Sequence, residues 1–135
     1  MDYEAHGNYR IWCTGNTLHA ELIGAWNMEA ALSYAHDFIE QASAFDNDWA
    51  HIVYLDHWEL ATPDVAAEAQ RLVDWCIANG LKRAAHVYKP SGLKSAVINN
   101  MVVEQNGDFK RAAFDNPIAA AQWLRDEGFV TELPD

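Results

Sequence analysis

The stretch from His51 to Gln70, HIVYLDHWELATPDVAAEAQ, joins an apolar run to a polar cluster and then to a helix signal. Ala50 to Leu55 is apolar apart from His51, a pattern that suits a central strand covered on both faces, whereas a strand with one wet face alternates. Thr62 precedes Pro63, and proline is favoured at the first helical position because the N–H it lacks would have no partner there. Val65, Ala69, Leu72, Val73 and Cys76 then recur at helical spacing, and Asn79-Gly80 supplies a stop. A doubly covered strand leading into an amphipathic helix predicts a mostly parallel sheet with crossover helices.

The flanking segments extend this reading. Tyr9 to Thr14 and Thr17 to Ile23 are rich in β formers and flank Gly15-Asn16, which predicts an opening hairpin. Asn27 is a candidate N-cap, and Met28, Ala31, Ala35, Phe38, Ala42 and Phe45 follow at helical spacing. Beyond Gly80, Arg83 to Tyr88 reads as a strand and Leu93 to Glu104 as a helix. Gln105 to Asp108 reads as a turn and Phe109 to Phe114 as a strand. Asp115-Asn116-Pro117 repeats the cap-and-proline signal before Ile118, Ala121 and Leu124. The predicted order is ββαβαβαβα: an α/β protein with a mixed, mostly parallel five-stranded sheet, in one domain over residues 1–135.

Twenty acidic residues against nine basic ones give a net charge of −11, which repels phosphate backbones and anionic lipids. Nucleic-acid binding is not expected, and no apolar run approaches the roughly 18 residues of a membrane span. Cys13 and Cys76 are far apart and lack CxxC spacing, so the expected setting is a reducing cytoplasm without a zinc or redox motif. No nucleophile elbow or phosphate-binding glycine loop occurs, and the six histidines have neither HxH nor HExxH spacing. Ser91-Gly92 with Lys94 marks a helix start that could hold an anion.

Asp56-His57-Trp58-Glu59 lies at the carboxyl end of the central strand, where open α/β sheets build their sites. Asp56, His57 and Glu59 are thus candidates for a metal or acid-base set, although neighbouring strand residues point to opposite faces. The structural alternative has Asp56 accepting backbone donors in the turn, Glu59 solvated and Trp58 packed over the sheet edge. Six tryptophans are many for this length. Trp75 falls to the side of the stripe of its helix, a placement that favours an interface with Arg71 and Glu68 beside it. Trp26, Met28, Phe38, Trp58 and Met101 could wall a nonpolar pocket between helix and sheet.

Three local features, Leu22-Ile23-Gly24-Ala25-Trp26 entering the first helix, the strand ending at Leu55-Asp56, and Ala113-Phe114-Asp115 followed by Ala121-Gln122-Trp123-Leu124, resemble the SpoIIAA-like family, whose fold is that of the STAS domains. The resemblance spans nearly the whole chain. It implies a small α/β domain without a cofactor, acting in regulation or in binding small, sometimes nonpolar, ligands. In anti-sigma-factor antagonists of this type a serine at the start of the following helix is phosphorylated. Here the Asp-Ser-Ser-Gly-type signature is missing and Thr62 is the nearest counterpart, with Asp56, Glu59 and Asp64 around it.

The functional expectation is a non-enzymatic binding or regulatory domain acting on a protein partner or as a homodimer. Two alternatives stand beside it: a carrier or sensor of a small nonpolar ligand such as a lipid or fatty acid, and a small metal-dependent hydrolase using Asp56, His57 and Glu59. The candidate ligand or partner residues are Trp26, Asp56, His57, Trp58, Glu59, Thr62 and Trp75. No catalytic residue, metal, cofactor or stable membrane insertion is expected.

Overall fold

Asn8–Thr14 (β1) and Thr17–Trp26 (β2) pair antiparallel across the Gly15-Asn16 turn and open the sheet. The structure, a computed structural model, describes residues 7–89, 92–101 and 105–133, the side chains of Leu60, Asn100 and Met101 excepted. After the hairpin come Met28–Ala42 (α1), Trp49–Tyr54 (β3), Trp58–Ala61 (β4), Pro63–Ala78 (α2) and Leu81–Val87 (β5). Gly92–Met101 (α3), Gln105–Asn106 (β6), Phe109–Phe114 (β7) and Pro117–Asp126 (α4) complete the order.

The seven-stranded sheet runs β1-β2-β3-β5-β7-β6, with β4 paired to β2. The pairs β2–β3, β3–β5, β5–β7 and β2–β4 are parallel, and among the described residues only the two terminal pairs are antiparallel. The five long strands stand where the sequence predicts them, and two short ones are added. Gln105–Asn106, expected to be turn, is one of these, pairing with Lys110 and Phe109. The other is β4, which takes up β2 at Gly24 and Trp26 after β3 has left it at Glu21.

Helix starts follow the expected chemistry. Asn27 accepts the Ala30 N–H at 3.0 Å and Asn116 accepts the Ala119 N–H at 2.8 Å, each satisfying a donor with no partner inside the helix. Of the three apolar residues that follow the cap signal, Ile118 faces solvent, and α4 buries Ala120, Ala121 and Leu124. The cap locates the first turn, but the rotation of the helix is decided by which residues meet the sheet.

Strand alternation divides the interior. Trp49, His51 and Val53 of β3 point toward α1 and α2, while Ala50, Ile52 and Tyr54 point the other way, where α4 packs. The larger core cluster joins Leu18, Phe38, Trp49, Val53 and Phe109, with Ile98 of α3. On the opposite face α4 seats Ala120 and Leu124 on Ala85 and Val87.

Beyond α4 the chain returns to the opening hairpin. Thr17 donates to the Val130 carbonyl at 2.8 Å and shares a 2.6 Å hydroxyl bond with Thr131, while Val130 N–H donates to Asn16 Oδ1 at 2.8 Å. Arg125 grips the Thr131 carbonyl with two N–H groups, at 3.1 and 2.8 Å. Among the described residues no helix is long and apolar enough to cross a membrane.

Candidate ligand cavity

Between the sheet and α1, α2 and α3 lies a cavity of about 130 Å³. Ala31, Tyr34, Ala35 and Phe38 line it from α1, and Val65, Glu68, Ala69, Leu72, Val73 and Cys76 from α2. Leu22, Trp26, Val53, Leu55, Trp58 and Leu81 are among its sheet-side walls, and Ile98 closes it from α3. The α2 stripe predicted from the sequence faces this space. Only Val65 and Cys76 of it are fully buried; Ala69, Leu72 and Val73 are half-buried along the cavity wall.

Two histidines reach the cavity from the sheet. The register pairs His51 with Ala84 and Val53 with His86, so both imidazoles project from the same face on adjacent strands. His51 Nδ1 lies 2.7 Å from the Leu18 carbonyl. A carbonyl only accepts, so the proton sits on Nδ1. The ring stands edge-on to Phe38, with centroids 4.9 Å apart.

Burial lowers His51 to about 4, partly opposed by its bond to the Leu18 carbonyl. Burial also lowers His86, to about 3, helped by the nearby His51 and Arg111. It raises the Cys76 thiol and the Tyr34 phenol far above their ordinary ranges. At neutral pH these four polar side chains are therefore uncharged. Glu68 also lines the cavity, and its carboxylate is held at 2.6 Å by the exposed guanidinium of Arg71.

Buried polar atoms in this protein generally find partners. Trp26 Nε1 donates to the Ile23 carbonyl at 3.0 Å and Trp49 Nε1 to the Asn79 carbonyl at 2.9 Å. His19 is bonded at both ring nitrogens, to Tyr54 at 3.0 Å and to Thr14 at 2.6 Å. Trp58 Nε1 and His86 Nδ1 are the exceptions: both are buried, and neither has a hydrogen-bond partner among the described residues. Both residues line the cavity.

The residues singled out in the sequence separate into two groups. Trp26 and Trp58 are buried and meet at the cavity; Trp58, expected over a sheet edge, is 4% exposed, because β4 folds it under α2. Of the other proposed pocket walls Phe38 is present, Met28 packs beside the cavity without lining it, and the Met101 side chain lies outside the described residues. Ser91, at the helix start that could hold an anion, and Glu104, the expected end of α3, also lie outside them.

Asp56, His57 and Glu59 are exposed. Asp56 Oδ1 accepts the Lys89 N–H at 2.8 Å, and Lys94 Nζ donates to the Leu55 carbonyl at 2.8 Å. Among the described residues these three form no metal-holding group. His36, Asp37 and Glu40 do bring their ligand atoms within 4.8 Å of one another, on the outer surface of α1. Asp37 there already accepts the Tyr9 hydroxyl at 2.5 Å.

Thr62 stands at the N-cap of α2 but makes no capping bond with its side chain; its hydroxyl donates to Asp64 at 2.5 Å. Trp75 is half-buried and packs against the main core. The sequence reading passed over Tyr34 and weighed His51 and His86 only among six histidines without metal-binding spacing. The signal for His51 was parity: it shares a strand face with Trp49 and Val53, so it points where the helices pack.

No family model and no curated protein sequence matches this chain. A crystal structure of an uncharacterized protein from the DUF3478 family, with a SpoIIAA-like fold, from Shewanella loihica PV-4, superposes with a TM-score of 0.66 at 12% identity. The match covers 92% of this chain and 98% of that one. At that identity the likeness is one of architecture, and the chain has a SpoIIAA-like fold.

Proposed function

We propose that this protein binds a small, uncharged, mainly nonpolar molecule in the cavity beneath α1 and α2, as a carrier or sensor. The observation that supports this reading is an apolar cavity of about 130 Å³ lined by side chains of the sheet, α1, α2 and α3. Apolar cavities of ~150 Å³ stay dry and take up molecules of benzene size. Among the described residues the lining holds no Lys or Arg to meet a carboxylate, and burying an unpaired charge is costly. A single ring with a few substituents fits in both size and charge.

The test combines native mass spectrometry of freshly purified protein with melting curves in the presence of toluene, indole and phenol. At a hundredfold excess over Kd a ligand adds about 2.7 kcal/mol, so Tm should rise by several degrees and saturate. Ala69→Leu, which places a larger side chain in the cavity from the middle of α2, should abolish that rise while leaving the free protein at least as stable. If no ring-sized probe shifts Tm and nothing copurifies, the reading fails.

A further inference from the structure

Tyr9, Tyr54 and Tyr88 pair their hydroxyls: Tyr9 with Ser33 at 2.7 Å and with Asp37, Tyr54 with His19 at 3.0 Å, and Tyr88 with Ser95 at 3.0 Å. Tyr34 differs. It is 8% exposed, yet among the described residues its hydroxyl has no hydrogen-bond partner. Packing does not seal it either. The buried side-chain nitrogens left bare by packing are Trp58 Nε1 and His86 Nδ1, and Tyr34 Oη is not closed off with them, so it keeps surface of its own. Two observations place that surface in the cavity. Tyr34 lines the cavity from α1 together with Ala31, Ala35 and Phe38. The Cys76 thiol of α2 also raises the phenol more than Tyr9 does, although the Tyr9 ring lies 5.3 Å from the Tyr34 ring, so the hydroxyl end is turned from β1 toward α2.

A hydroxyl buried without a partner loses its hydration uncompensated, and phenylalanine would fill the same volume without that loss. We propose that Tyr34 is the specificity-determining residue of the cavity, its hydroxyl donating to the carbonyl oxygen of a small cyclic or aromatic ketone. This rests on the cavity being a binding site. The choice of group follows from the count of protons. Burial keeps the phenol protonated at neutral pH, so it offers a ligand a proton and needs an acceptor in return. A ketone accepts without bringing a proton of its own, whereas an amine or hydroxyl carries at least one more polar hydrogen into an apolar space. His51 gives its Nδ1 proton to the Leu18 carbonyl and cannot replace Tyr34 as the donor.

Calorimetric titration of wild type and Tyr34→Phe with cyclohexanone and methylenecyclohexane tests this, since the two probes differ by an oxygen against a methylene group. Replacing the tyrosine should weaken cyclohexanone about fivefold and leave methylenecyclohexane within about twofold, a change in selectivity that lost packing alone would not give. Infrared spectra of cyclohexanone bound to wild type give a reading independent of the variant: the carbonyl stretch should fall below its value in cyclohexane. A stretch unchanged from cyclohexane, an equal effect of Tyr34→Phe on both probes, or binding of methylenecyclohexane alone would overturn the proposal while leaving the cavity as a nonpolar site. Failure of both probes to bind wild type would overturn the cavity reading with it.

Discussion

At Gly24 the backbone takes φ +79°, a region that residues with a side chain disfavour, and β2 there turns from its pairing with β3 to its pairing with β4. The Gly24 N–H donates to the His57 carbonyl at 2.9 Å, which holds the turn leading to Trp58. Among the described residues a methyl group at this position would meet only the Gly7 Cα, at 3.5 Å, an ordinary contact. The cost of Gly24→Ala is therefore conformational, about 1–2 kcal/mol. The urea midpoint should fall accordingly with an unchanged m-value, and toluene should still stabilise the variant. A midpoint equal to wild type would show that the bend is not held at this residue. The sequence reading found Gly24 in the passage leading to α1 but gave it no task, because its partner Trp58 lies on a strand made visible only by long-range pairing.

The two asparagine caps and the threonine before α2 look alike in sequence and act differently in the fold. Asn27 and Asn116 each take a first-turn N–H, whereas the Thr62 hydroxyl turns to Asp64. Asn116→Ala should cost about 1 kcal/mol and Thr62→Ala only a few tenths, measured as paired denaturation curves. Comparable losses at the two sites would contradict the geometry. Helix starts, the α2 stripe and the central strand were legible because their signals are local: a cap, a proline, a period of 3.6, an unbroken apolar run. β4 and β6 were not, being too short for a period, and the rotation of α4 was not, since Ile118 and Ala121 carry the same apolar signal until a sheet decides between them. The cavity was half legible. Trp26, Phe38 and Trp58 were named for it, while His51, His86 and Tyr34 required strand parity and register to be put on the same wall.

For the molecule as a whole, three histidines buried among the described residues contribute to the response to acid. His19 and His51 are lowered to about 4 and His86 to about 3, each chiefly by burial, against an ordinary value of 6.5. A base with a depressed folded pKa binds its proton more readily when unfolded, so its contribution is complete above 6.5 and is lost as pH falls toward the folded value. Stability should be flat from pH 8 to 6.5 and then decline, each histidine adding a slope of up to about 1.4 kcal/mol per pH unit. Denaturation midpoints at pH 8, 6.5 and 5 measure the decline. Imidazole resonances recorded over the same range identify its source: those of His19, His51 and His86 should not titrate above pH 5. Titration of any of them near 6.5 would show that its ring is hydrated.

The bond between Thr17 and Thr131 spans 114 positions of sequence, and this has a consequence during synthesis. At roughly 5–20 residues per second the first hairpin leaves the ribosome several seconds before the segment that seals it. Throughout that interval the nascent sheet displays Thr17 and its neighbours uncovered. A chain stalled after α4 but short of Val130 would then be a natural client for a chaperone.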